Sequence, residues 1–162
     1  MILDYLSTKY HSMLEQGWGA FEMGNLEKAE RHFKDILEHE DDPHISMYDL
    51  VEAHNGMGAV NFAHKDFFDA HRWYKESQYL LDHHYDKHYP VHMHWHNLRD
   101  RPTMRMLMGL GHLAYQRGDT KRALYYYKTL LHADSSDELG AKKFISAIES
   151  NADFDEVFNN NA

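Results

Sequence analysis

One pattern recurs three times along this chain, and it constrains the fold more than any other feature. The first copy reads Gly17-x-x-Ala20-Phe21-x-x-Gly24-Asn25-Leu26-x-x-Ala29-x-x-x-Phe33. The second is Gly58-x-x-Asn61-Phe62-x-x-Lys65-Asp66-Phe67-x-x-Ala70-x-x-x-Tyr74, and the third Gly111-x-x-Ala114-Tyr115-x-x-Gly118-Asp119-Thr120-x-x-Ala123-x-x-x-Tyr127. Apolar residues fall at helical spacing on both sides of each central turn, and no alternating strand pattern competes with them. Each element of the pattern has a mechanical reason. The leading glycine and the later alanine let two antiparallel helices cross closely, and the aromatic residues fill the space between them. Gly24-Asn25, Lys65-Asp66 and Gly118-Asp119 make the turn, with Asn or Asp placed to cap the second helix. A helix pair of this kind cannot bury its apolar face alone, so successive pairs are expected to stack.

This pattern resembles the tetratricopeptide repeat, whose period is about 34 residues. Lys65 departs from the usual turn glycine, and Asp41 and Ser135 stand where a terminal proline is usual. The resemblance implies an all-α fold: three helix-turn-helix repeats stacked as a short right-handed superhelix, with a C-terminal capping helix. Repeats are expected over residues 10–43, 51–84 and 104–137, within one domain spanning 1–150. Both junctions exceed the repeat period. The first carries two N-terminal helix signals, Asp42-Pro43 and Ser46-x-x-Asp49. The second, a histidine-rich insert over 85–103, has room for a loop and a short helix, and Pro102 suits the first turn of the next repeat's opening helix. Ser135-x-x-Glu138 reads as a capping box opening the last helix over 136–149, and 151–162 as a flexible tail. The C-terminal half, from Trp95-x-x-Leu98-x-x-Arg101-Pro102-x-Met104-Arg105 to Asp137-Glu138-Leu139-Gly140, is also similar to a group of uncharacterised bacterial repeat proteins. Asp100 and Thr103 depart from that group's pattern. It carries no assigned activity and supports register alone.

The resemblance implies a binding module or assembly scaffold, with the first helix of each pair lining a concave groove. The groove residues would be Leu14, Trp18 and Phe21, then Asn55 and Phe62, then Arg105, Met108, His112 and Tyr115. A carboxylate clamp for acidic chaperone tails is not expected, because its positions hold Leu14, Trp18, Gly56, Arg105 and Gly109, and a lone guanidinium is no clamp. Leu, Trp, Met and Tyr instead suit an apolar segment of another protein or peptide. Assembly of copies of the chain stays open.

Charge and composition narrow the partners. With 17 basic against 26 acidic residues the formal net charge is −9, which disfavours nucleic acid and an anionic membrane surface. The start of the chain lacks a basic region followed by a long apolar run, so no signal peptide is expected, and a cytoplasmic protein is the default. Cysteine is absent, which removes disulfides, thiolate metal sites and thiol nucleophiles. Histidine is abundant, at 15 residues. His84, His88, His92, His94 and His96 form the alternative reading, a Zn, Ni or Cu site, either at i,i+4 on a helix or along an extended run from Pro90 to His96. The competing reading is a polar insert whose Val91, Met93 and Trp95 pack inward, leaving room for adventitious Zn or Ni alone. No motif demands a cofactor. His39-Glu40-Asp41-Asp42-Pro43-His44 misses zinc-protease spacing by one residue, and neither a nucleophile elbow nor a phosphate loop is present. A non-enzymatic role is expected.

Overall fold

A computed structural model describes residues 8–159, and among these it forms eight α-helices and no strand. They are α1 (Thr8–Glu22), α2 (Leu26–Leu37), α3 (Met47–Ala63), α4 (Phe67–His84), α5 (Arg101–Gln116), α6 (Thr120–Ala133), α7 (Ala141–Glu149) and α8 (Phe154–Asn159). None is long and apolar enough to cross a membrane. The opening residues, on which the signal-peptide expectation rests, lie outside the described range. The chain divides at His84 into two compact units.

The three turns share one geometry because they share one chemistry. Gly24, Lys65 and Gly118 all take a left-handed backbone, with φ of 76°, 62° and 85°. That conformation turns their N–H groups onto the carbonyls of Phe21, Phe62 and Tyr115, while Asn25, Asp66 and Asp119 donate theirs to Ala20, Asn61 and Ala114. The same three Asn and Asp side chains then accept from the N–H of Lys28, Asp69 and Arg122, at 3.1, 3.2 and 3.1 Å. Each therefore satisfies one of the orphan donors that open a helix. Lys65 is exposed and makes the same turn with a Cβ that the left-handed region disfavours. Lys65→Gly is accordingly expected to stabilise the first unit by about 0.5–1 kcal/mol, read from a chemical denaturation midpoint. A lower midpoint would show that the Lys65 side chain contributes more than its backbone costs.

In the first unit α1 packs on α2, α2 on α3, α1 on α3 and α3 on α4. Its core is Tyr10, Leu14, Ala20, Ala29, Phe33, Ile36, Ala53, Met57 and Val60. The Phe33 ring sits where a Cβ on Gly17 or Gly56 would be, at 2.7 and 2.5 Å, so two glycines on different helices make its slot. Tyr74 stands against Gly58 in the same way. Between α2 and α3 the chain turns rather than extending the helix. Asp42 is held by the buried Tyr10 hydroxyl and by the His44 N–H, and so does not open α3. Ser46 does: its hydroxyl accepts from Asp49 N–H at 3.0 Å, and the Asp49 carboxylate accepts from Ser46 N–H at 3.3 Å. The Tyr10–Asp42 hydrogen bond pushes the phenol up to about 12 and holds the carboxyl below its ordinary range.

In the second unit α5 packs on α6, α6 on α7, and α8 on both α5 and α7. Gly111 faces Tyr127 as Gly58 faces Tyr74. Three expectations need correction here. The insert contains no helix of its own; residues 85–100 form turns and bends, and 101–103 already belong to α5. The last long helix begins at Ala141 rather than near 136, because Asp137, not Ser135, does the capping. Its carboxylate accepts from Ala141 and Lys142 N–H at 2.6 and 3.2 Å, after a turn through Asp137 and Gly140 at φ 53° and 78°. Residues 154–159 of the expected tail are helical, with Phe154 buried. Residues 160–162 lie outside the described range.

Candidate functional site

The residues expected to line a groove differ in exposure. In α1, Leu14 is core and Trp18 is half-buried, its ring 5.1 Å from Phe33 and 5.8 Å from a half-buried Phe21. In α3, Asn55 is buried and donates to Glu52 at 3.2 Å, while Phe62 leans edge-on to Phe67. In α5, Met108 is buried, and Arg105 lies 4.7 Å over the Trp95 ring. His112 and Tyr115 face the chain's own C-terminal segment. Of the nine residues expected to line a groove, Leu14, Asn55, Met108 and Tyr115 are buried, whereas Trp18, Phe21, Phe62, Arg105 and His112 keep part of their surface.

The most densely built cluster in the second unit surrounds His112. Its ring centroid lies 4.5 Å from Phe144, 5.4 Å from Phe158, 5.6 Å from Phe154 and 5.7 Å from Tyr127. Phe154 stacks on Phe158 at 5.0 Å, and Tyr127 on Phe144 at 5.4 Å. His112 Nδ1 and the Tyr127 hydroxyl share a hydrogen bond of 2.7 Å, and the Tyr115 hydroxyl donates to the Ala152 carbonyl. Rings offer no solvation to an imidazolium, so burial, with Lys143 adding repulsion, holds His112 down at about 3. Burial also raises both phenols above their ordinary value. A neutral imidazole and two protonated phenols inside an aromatic shell form a structural joint, without the exposed base or nucleophile that acid–base chemistry needs.

The histidine-rich insert is ordered by its non-histidine residues. Met93 is buried, and its N–H donates to the Ala133 carbonyl at 2.9 Å. The buried Asp100 carboxylate accepts from His94 N–H at 3.0 Å. Arg101 Nε donates to the Trp95 carbonyl, and its guanidinium lies 4.9 Å from the centroid of the Trp95 ring. His92, His94 and His96 point outward and are exposed, as the extended reading expects, but Val91 is exposed with them. Among the described residues no three His, Asp or Glu side chains are gathered so as to hold an ion. His84 instead pairs with the Tyr48 hydroxyl at 3.2 Å and His88 Nδ1 with the Asp86 carbonyl at 2.7 Å.

Between the insert and α6 lies an open cleft of about 620 Å³, which sequence reasoning missed. Its floor is Met93, Pro90 and Ala133, its walls Tyr89, Val91, Tyr125 and Thr129, and its rim Lys87, Lys128 and His132. The signal for it was present in α6. Ala123, Tyr126, Tyr127 and Leu130 are the buried residues of that helix, which leaves Tyr125, Lys128, Thr129 and His132 as a second stripe at i, i+3, i+4 and i+7. Compared with protein-family models, curated proteins and solved structures, the chain matches none.

Proposed function

We propose that this chain is a non-catalytic binding module of the tetratricopeptide type, which takes a segment of another polypeptide. The observation that carries this reading is the repetition of one contact: Gly17 with Phe33, Gly58 with Tyr74 and Gly111 with Tyr127. In all three the ring of the second helix fills the space a glycine leaves in the first, after the same left-handed turn and the same Asn or Asp cap. Such repetition supplies closely packed helix pairs, and repeated helix pairs are used to present binding surfaces. A net charge of −9 disfavours nucleic acid and an anionic membrane surface as the principal partner.

The test is selection of a displayed random-peptide library on the purified full chain. We expect enrichment of one consensus, and saturable binding of the corresponding synthetic peptide by calorimetry. Rounds that enrich no common sequence, or a consensus peptide that shows no saturable heat, would remove the reading.

A further inference from the structure

We infer that the cleft between the insert and α6 is a docking site for an acidic segment of a partner polypeptide, anchored by one apolar side chain flanked by carboxylates. The inference rests on the binding-module reading and names the partner's chemistry.

Three observations carry it. First, the cleft exposes apolar surface that folding had no need to expose. Val91 is 69% and Tyr125 65% accessible, and both are on its walls, above a floor containing the fully buried Met93. Exposed apolar residues grouped at a concavity and rimmed by polar ones mark interaction sites, whereas single ones do not. Second, the cleft is preformed. The Met93–Ala133 backbone hydrogen bond ties the insert to the end of α6, and Asp100 and Arg101 hold the backbone at His94 and Trp95. A segment that binds here meets walls already in place and need not order them.

Third, the charge is opposite to that of the protein as a whole. In a chain of net charge −9, the side chains lining this cleft include Lys87, Lys128 and His132 and no acid. All three are exposed, and neither lysine forms an ion pair with a described residue. Lys87 and Lys128 line the cleft beside its apolar residues, and a lysine beside an apolar surface can bury its stem and offer its ammonium group to a carboxylate. Those ammonium groups attract an acidic partner and repel a basic one, so the rim favours acid.

The experiment uses the full chain and a labelled heptapeptide, Asp-Glu-Asp-Phe-Asp-Glu-Asp, with two control peptides. One has serine in place of phenylalanine and the other has lysines in place of all the acids. Binding is followed by fluorescence anisotropy. The phenylalanine peptide is expected to bind saturably, and each control at least tenfold more weakly. Lys128→Glu and Tyr125→Ser each weaken binding at least tenfold. Both positions are exposed, and an unchanged melting temperature establishes that the variants remain folded.

If the heptapeptide fails to bind, or binds both variants as it binds the wild type, the inference is overturned. The module reading then still stands provided a library consensus binds saturably elsewhere. If no library peptide binds either, both fall. Concentration-dependent dimerisation abolished by Lys128→Glu would assign the cleft to a second copy of the chain and would equally overturn the partner named here.

Discussion

Gly56→Ala is expected to lower the stability of the first unit by about 3 kcal/mol, although alanine is the better helix former. Gly56 lies inside α3, and a Cβ built there would come within 2.5 Å of three atoms of the Phe33 ring. That ring has little room to retreat, because it packs against Gly17 closely enough to take the place of a Cβ there, and Phe33 has no exposed surface. The substitution must therefore move α2, twist Phe33 off its rotamer, or part the helices, and each costs more than the gain in helix propensity. Gly19→Ala is the matched control. Gly19 is interior to α1 and has nothing within 4 Å of its Cβ position, so this change is expected to raise stability by about 0.5–1 kcal/mol. Paired urea titrations of the two variants check the prediction. Opposite shifts in midpoint are expected, and a wild-type midpoint for Gly56→Ala would mean that α2 is misplaced against α3.

That contrast also shows what the sequence could disclose. Gly17, Gly58 and Gly111 were legible because they recur at one place relative to an aromatic partner, and so were the turns beyond them. Gly56 belongs to no recurrence, and its importance arises from α2 meeting a second helix. Local chemistry was legible where one signal acted alone, as at Ser46 with Asp49. It misled where a nearby acid took the helix's first donors: Asp137, rather than Ser135, accepts from the Ala141 and Lys142 N–H groups that open α7. The buried groove residues were missed for another reason. The stretch that forms α5 carries Met104, Met106, Leu107, Met108, Leu110 and Leu113, an apolar surface on nearly every side, and all six are buried. A helix apolar all round belongs to a core, so position within a repeat was a poorer guide to exposure than the residues themselves. The short α8 was invisible for want of length. Phe154 and Phe158 at i,i+4 are too few to establish a period, and what fixes them is contact with His112 and Phe144, distant in sequence.

The second large effect concerns that contact and is a dependence on pH. His112 is held neutral at about 3 in the folded chain, against an ordinary value of 6.5, by burial among four aromatic rings and by the nearby Lys143. Between those two values the unfolded chain binds a proton that the folded chain refuses. This stability contribution is therefore fully present above pH 6.5 and is lost as the pH falls toward 3. From pH 7 to pH 5 the loss is about 2 kcal/mol from this one imidazole. Among the described groups facing it are the Tyr127 hydroxyl of α6, Lys143 beside Phe144 on α7, and the rings of α8. Two measurements test the sign and the source. In NMR spectra of the folded protein, the His112 ring is expected not to titrate between pH 7 and pH 5. In denaturation curves at the two pH values, His112→Gln is expected to lack about 2 kcal/mol of the wild-type dependence, whatever its absolute stability. Glutamine retains a polar partner for Tyr127 but cannot take up the proton. A folded-state His112 that titrates near 6.5, or a variant with the full wild-type slope, would show that α8 leaves the imidazole in water.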